Sequence, residues 1–535
     1  MTITQRLDSV GRATLIIGVF SLLAKISGLL RDAILAHQFG TSTLVDAYTA
    51  AFRIPDFIFN LLILGTVSVA FIPIFSEVLM KDREHAFRFA SGVLNITFVA
   101  MAALALVAFL FIDPLIRLIA PGFDVETYEL TKTFSRIFLI TPVLFAVSSV
   151  VSSILNTYKR FTLMAVAPLL YNFGIIGGIV FFYPIFGPNG IAFGVVLGAL
   201  LHLLVQIPSL FVLKFRYSLT IHLDRHFFDF WKLYWPRIFS MGTGQVTFLI
   251  ATFFGSFLAS GSLSAFYYAN NLQAMFLSIF AISAALAVFP TLSDLYNKRD
   301  DHGFKDVLAK TAIQIMFFVV PISVLMLVER AQIVRLIYGA GQGTNFDFEA
   351  TKLVSLTLGL FVISLFAQGL SPLFMRAFYA RHNTATPVII GLITIALNVA
   401  VTYFLVMRFG VPGMALAFSL TSIIQLLMLV AELHHKIGNI HDDYLIINAL
   451  KVGISSVIAG LTTYVGLYLI APWVDMNTYV GVLVQAVGAG IIGVTTYVGV
   501  GLMISLEEAK HLLTSIRTMV AKVTGAAHEN QGSDF

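Results

Sequence analysis

Residues 13–38 read ATLIIGVFSLLAKISGLLRDAILAHQ. The run exceeds the roughly 20 mostly apolar residues that carry a helix across a bilayer, so it reads as a first membrane span. It is too long for a signal peptide and lacks a small-residue cleavage site, so it is expected to be retained. Three charges lie within it, Lys25, Arg31 and Asp32. Charge on a spanning helix is costly against lipid, so these side chains are expected to face protein or water.

The rest of the chain repeats this pattern. Of 535 residues, 58% are hydrophobic and 11% charged, with a mean hydropathy of +0.90; soluble domains carry about a quarter charged residues. This excludes an ordinary soluble enzyme. Apolar runs separated by polar punctuation predict an all-α polytopic membrane protein with about fourteen spans: 13–38, 44–76, 87–112, 132–155, 162–183, 189–213, 230–258, 262–292, 307–328, 350–376, 384–407, 411–431, 448–471 and 478–505. With no cysteine there is no disulfide, thiolate metal site or thiol nucleophile.

Lys and Arg set the orientation. With the N-terminus inside, 22 of them fall on cytoplasmic segments and 7 on outer ones, while Lys25, Arg31, Arg53 and Arg237 remain inside spans. A plasma-membrane protein with both termini cytoplasmic is therefore expected. The net charge of +5 is mostly topology, so no nucleic-acid partner is expected.

The two halves resemble each other at an offset of 217 to 223 residues. Ala70-Phe71-Ile72-Pro73 matches Ala287-Val288-Phe289-Pro290, Leu115-Ile116-Arg117-Leu118-Ile119 matches Ile333-Val334-Arg335-Leu336-Ile337, and Phe186-Gly187-Pro188-Asn189-Gly190 matches Phe409-Gly410-Val411-Pro412-Gly413. Six spans per unit, an even number, predict two parallel-related lobes with a substrate site between them. The expected organisation is a cytoplasmic N-terminus (1–12), a first lobe (13–213), a cytoplasmic linker (214–229), a second lobe (230–431), two final spans (448–505), and an amphipathic segment with a disordered tail ending HENQGSDF (506–535).

Charged residues within spans are candidate functional groups by default. Lys25 and Asp32 share a helical face with Arg31 beside them, and in the second span Asp46, Arg53 and Asn60 recur every seven residues, with Asp56 three beyond Arg53. One reading is a hydrated cavity in which Lys25, Arg31 and Arg53 attract an anionic headgroup, Arg offering phosphate a bidentate fork. The other is structural, with Arg53 paired to Asp46 or Asp56. Ser264, Tyr267, Asn271 and Ser278 form a second polar face, suited to a glycan or to holding helices together. Arg237 and Gln245 are weaker candidates, and Arg237 reads as an interfacial anchor. No P-loop or HExxH motif is present, Gly339-Ala340-Gly341-Gln342-Gly343 lacks the context of a dinucleotide loop, and His434-His435 reads as a helix end. Neither an enzyme nor a cofactor or metal requirement is expected.

Gly28-Leu29-Leu30-Arg31-Asp32, Asp46-Ala47, Ala51-Phe52-Arg53-Ile54-Pro55, Gly65 and Ala70-Phe71-Ile72-Pro73 look like the N-terminal signature of the MurJ/MviN family. Leu155-Asn156, Arg160-Phe161, Ala167-Pro168, Asn172 and Phe378-Tyr379-Ala380-Arg381 with Thr386-Pro387 extend the resemblance over essentially the whole chain. It implies a lipid II flippase of the MOP superfamily, with two six-helix lobes around a cationic cavity and two last helices (448–505) bordering a groove for the polyprenyl tail. By position, Lys25 stands where many members have an essential Arg, and Arg31, Asp32, Asp46 and Arg53 match charged cavity positions. The chain departs from the pattern in two places. Phe59-Asn60-Leu61-Leu62-Ile63-Leu64-Gly65 replaces the family's Arg-Arg-Leu-Phe-Ala-Glu-Gly, and Asn270-Asn271 replaces Asp-Arg.

The expected function is translocation of a polyprenyl-diphosphate-linked peptidoglycan precursor from the inner to the outer leaflet by alternating access. Substrate contacts are expected from Arg31, Arg53, Lys25, Asn60 and Asn271, and gating or ion pairing from Asp32, Asp46 and Asp56. Drive is expected from the membrane potential or an ion gradient, the protein acting as a monomer with cell-wall synthesis proteins as partners. Alternatives are a flippase for another polyprenyl-linked glycan, a MATE-like cation-coupled exporter, a membrane glycosyltransferase or polymerase, and a scaffold without transport.

Overall fold

A computed structural model describes residues 3–62, 66–219, 226, 230–231, 243–339 and 343–523. The polar residues that punctuate the sequence act as helix starts. Asp82 accepts hydrogen bonds from the N–H groups of Glu84 and His85, Asp124 from Thr127, Asp300 from Gly303, and Thr478 from Gly481. Each satisfies donors that the first helical turn leaves open.

The helices in the first half are α1 (Ile3–Phe39), α2 (Thr43–Ala51), α3 (Arg53–Leu62), α4 (Thr66–Lys81), α5 (Arg83–Leu110), α6 (Ile112–Ile119), α7 (Val125–Phe138), α8 (Ile140–Thr157), α9 (Phe161–Gly177), α10 (Pro188–Leu204) and α11 (Ile207–Val212). There follow α12 (Thr243–Gly255), α13 (Ser262–Leu277), α14 (Ser283–Asn297), α15 (Asp301–Val328), α16 (Arg330–Ile337), α17 (Phe348–Val362), α18 (Leu365–Ala380), α19 (Ala385–Ile437), α20 (Asp442–Ile470), α21 (Tyr479–Met503) and α22 (Glu507–Val523). π-helical turns at Gly178–Phe182 and Ser278–Ile282 follow α9 and α13. No strand occurs among the described residues.

Among the described residues nine helical stretches are long and apolar enough to cross a membrane, ten if the bent pair α17–α18 is one span. The sequence predicts fourteen: α19, 53 residues with a non-helical Gly410 inside it, takes in two of them (384–407 and 411–431), α2, α3 and α12 are each shorter than a spanning helix, and part of 230–258 lies outside the described residues. In the second predicted span, 44–76, the helical hydrogen bonding is interrupted for one residue at Phe52, between α2 and α3, where φ −69 and ψ −22 stay helical. In α5 only a third of the most apolar window is buried, leaving side chains such as Leu106 and Leu110 exposed as hydrocarbon-facing helices require. Arg237, the tail HENQGSDF, Leu64, Gly65 and Ala340-Gly341-Gln342 lie outside the described residues, as does the side chain of Gln245.

The internal repeat is visible as local structure. α5 and α15 are both 28 residues long and are followed by the eight-residue α6 and α16, offset by 218. Gly187 and Gly410 share nearly the same left-handed backbone, φ 60 and ψ −145 against φ 59 and ψ −135. A side chain is strained there, which explains why glycine marks both halves.

The chain forms two compact units. The first comprises Met1–Tyr268, Ile337–Leu353 and Asn398–Met414; the second comprises Ala269–Leu336, Val354–Leu397 and Ala415–Phe535. In the first unit an aromatic-rich core gathers Phe71, Phe75, Phe89, Val150 and Ile154. Beside it α9 and the π-helical turn after it meet α10 backbone to backbone, with Gly174 against Gly198 and Gly178 against Gly194. Without a hydrophobic drive between helices in lipid, such small-residue contacts supply packing. Gly194→Leu is expected to lower the detergent-solubilised protein's stability by about 3 kcal/mol through overpacking; an unchanged melting temperature would contradict this. In the second unit Phe317, Val452, Ala459 and Tyr497 of α15, α20 and α21 pack together with Leu506, which precedes α22.

Candidate functional site

The charged residues of α1 to α3 all belong to the first unit. Arg31 wraps along α1 so that Nη2 lies 2.7 Å and Nε 2.9 Å from Asp32 Oδ1. Nη1 donates to Asn172 Oδ1 on α9 at 3.1 Å, and Nη2 also donates to the Tyr267 hydroxyl on α13 at 3.2 Å. That hydroxyl donates to Asp32 Oδ1 at 3.3 Å. Asn172 in turn donates to the Ala24 carbonyl and the Ser27 hydroxyl. The cluster is nearly sealed, with side-chain exposures of 15% for Arg31 and 3% for Asp32. The expected pairing of Arg31 with Asp32 is thus present, held by a neutral frame of Asn172 and Tyr267.

Asp46 has a different role from the cation partner expected of it. Its carboxylate accepts 2.7 Å hydrogen bonds from the N–H groups of Gly261 and Ser264, at the N-terminus of α13. The position favours a negative charge, because unsatisfied N–H groups and the helix dipole point there together. Thr43 and Ser260 hydroxyls lie 2.6 Å apart nearby, and Asn345 donates from its backbone to the His37 carbonyl and from its side chain to the Gln38 carbonyl. Asp46 therefore belongs to a polar seam that ties α2 to the start of α13.

Arg53 begins α3, and among the described residues it makes no ion pair, either with Asp46 or with Asp56. Its guanidinium lies over the Phe248 ring, 5.2 Å from the centroid, and its Nε has no hydrogen-bond partner. The aromatic face contributes a weak attraction and leaves the terminal nitrogens for another acceptor. Asn60 donates to the Asp56 carbonyl at 2.7 Å, a bond within its own helix rather than one aimed at a ligand.

Lys25 lines an opening of about 570 Å³ with Ser21, Asn156, Phe161, Met164 and Pro168. Asn271 lies one helical turn beyond Tyr267 on α13, at the start of the second unit. The partner roles of Gly261 and Phe248 were not visible in the sequence, since a backbone N–H and an aromatic ring carry no motif. Asn172 and Tyr267 did leave a signal, as polar groups on otherwise apolar helices. Among the described residues no group of three or more His, Asp or Glu is placed to hold a metal ion.

With this arrangement of one clamped and one open arginine, comparison with known proteins is decisive. The family model for "Lipid II flippase MurJ" matches residues 35–484, most of the chain. The chain belongs to the lipid II flippase MurJ family. Its MurJ relatives include a probable lipid II flippase of Buchnera aphidicola subsp. Acyrthosiphon pisum, 27% identical with 88% of this chain and 92% of the relative covered. A lipid II flippase MurJ of Burkholderia cenocepacia is 26% identical, covering 84% and 89%. A solved MurJ structure in an inward closed conformation superposes with a TM-score of 0.76 at 27% identity, covering 93% of this chain and all of that one. An inward-facing MATE transporter of the MOP superfamily, at 16% identity and a TM-score of 0.63 over 80% of this chain and 95% of its own, shares the fold. MurJ membership and the apolar helices make this a multi-pass inner-membrane protein of a transporter family whose substrate is lipid-linked.

Proposed function

We propose that this chain moves lipid II from the inner to the outer leaflet, and that Arg53 makes the first contact with the diphosphate. The observation that carries the assignment is the guanidinium of Arg53 over Phe248, which makes no ion pair among the described residues, whereas Arg31 is already neutralised by Asp32. A diphosphate gains most from a cation that need not first leave another carboxylate. Arg31 then engages by exchanging Asp32 for phosphate, with Asn172 and Tyr267 holding the released groups. Lys25 is a secondary contact, Asp32 and Asp56 are local counter-charges, and Asp46 holds the start of α13.

In this reading both termini are cytoplasmic, the protein works as a monomer near cell-wall synthesis proteins, and the last two spans border the lipid tail. The chain itself is a transporter without a cofactor. Its drive is the membrane potential or an ion gradient, the potential supplying about 2.3 kcal/mol per elementary charge per 100 mV. The test is complementation of cells depleted of their lipid II flippase, with lipid II measured in each leaflet. Rescue with outer-leaflet lipid II restored is expected; no rescue by an expressed, correctly inserted chain would count against the reading.

A further inference from the structure

The break between α15 and α16 is occupied by Glu329, with φ −94 and ψ 12. The same break in the first half, 218 residues earlier, is occupied by Phe111 with φ −102 and ψ 22. Two equivalent kinks thus carry opposite chemistry, and their surroundings are also opposite: Phe111 is 58% exposed, whereas Glu329 is 8% exposed. An apolar residue faces outward in one repeat while a carboxyl is buried in the other.

Glu329 has no compensating partner among the described residues. Its Oε1 is sealed without a hydrogen bond, and no ion pair reaches either oxygen. The carboxyl points at Gly490 of α21, where a Cβ would lie 3.5 Å from Oε1 and 3.8 Å from Oε2. α15, α20 and α21 meet here, with Leu325 and Thr463 packed on Gly493 and Val324 on Gly460. Gly490 lies well inside α21, a helix without Asp, Glu, Lys, Arg or His.

The charged and titratable groups on the surrounding elements are directed elsewhere or are distant. Arg330 donates to the Leu327 carbonyl and packs its stem on Gly359. Lys310, the nearest charged residue earlier on α15, is more than five helical turns away, and Arg335 lies beyond on α16. On α20, Lys451, Asp442 and Asp443 lie toward the opposite end from Thr463, and Tyr464 and Tyr468 bond to each other on the exposed face. On α21, Tyr497 donates to the Phe317 carbonyl and Tyr479 lies at the helix start; on α17, Lys352 pairs with Glu349. Gln332 and Gln485 are near in chain position but donate to Gln485 Oε1 and the Leu467 carbonyl, not to Glu329.

A carboxylate in such a place costs several kcal/mol, which an added proton removes. A metal ion would need a shell of about six oxygens, and one carboxyl does not supply it. We propose that Glu329 is a proton-binding site built into the second unit, and that release of its proton loosens the packing of α21 on α15. The proton moves between the carboxyl and water, with no other bond changed. The site gives a transporter without a nucleotide motif a place to sense a proton gradient, but its proton binding does not depend on the lipid II reading.

The test is infrared titration of the purified full chain in nanodiscs, with no lipid substrate added, comparing wild type, E329Q and G490A. A protonated-carboxyl stretch is expected at neutral pH in wild type, absent in E329Q and lost as the pH is raised. In G490A, where the added methyl excludes water from the carboxyl, the band is expected to persist to higher pH. Amide hydrogen exchange along α21, corrected for its intrinsic pH dependence, is expected to accelerate with the loss of the band in wild type and to stay level in E329Q. The proposal is overturned if E329Q retains the band, if the wild-type band is missing at neutral pH, if sodium at fixed pH removes it, or if α21 responds to pH identically in both proteins. Because no outcome depends on lipid II, failure here leaves the flippase reading standing, and failure of complementation leaves the proton site to be judged by its own spectra.

Discussion

Arg53→Ala is expected to leave the protein folded and inserted but to reduce lipid II flipping about a hundredfold, the kinetic equivalent of roughly 3 kcal/mol for a desolvated charge partner lost. Stability should change little, because among the described residues the side chain makes no ion pair and one cation–π contact, with Phe248. Arg53→Lys, which keeps the charge without the fork, should fall between the two. Arg31→Ala is expected to impair transport as well, but with a cost in stability, because it strands Asp32 in a site where that carboxylate is 3% exposed. Pairing it with Asp32→Asn should restore stability without restoring transport. The measurement is outer-leaflet lipid II per copy of inserted protein, alongside the melting temperature of each variant. Full flipping in both Arg53→Ala and Arg31→Ala would remove these residues from the site while leaving the family membership intact.

The second large effect is structural. Asp46→Ala removes the acceptor for two buried N–H groups at the start of α13, each bonded at 2.7 Å. Hydrogen bonds to a charged acceptor contribute about 1.5–3 kcal/mol apiece, so a total loss near 3 kcal/mol is expected once water partly rescues the exposed donors. Asp46→Asn keeps one acceptor oxygen but sets its amide donor against the second N–H, so it should recover no more than about half of it. Unfolding of the detergent-solubilised protein measures both. A wild-type melting temperature in Asp46→Ala would contradict this capping role.

These two predictions separate residues that look alike in the sequence. Asp46, Arg53 and Asn60 recur at seven-residue intervals and read as one polar stripe. Each member finds a different partner: a helix N-terminus, an aromatic ring and its own backbone. Spacing predicts which side chains share a face, not what each of them meets there.

What the sequence determined by itself follows from local physics. Apolar runs of bilayer length, capped by Asp82, Asp124, Asp300 and Thr478, specify helices because lipid offers no partner to an open backbone. The repeat was legible for the same reason: glycine at 187 and 410 is demanded by a left-handed backbone that any single turn carries within itself. The arginines were legible as candidates because charge in an apolar run is conspicuous. Their partners were not, since Arg31 finds Asn172 and Tyr267 across 141 and 236 residues, and Asp46 finds Ser264 across 218. Whether a charge is clamped, capping, open or, like Glu329, buried alone depends on which helices meet. Packing decides that over the whole unit, and tertiary structure alone reveals it.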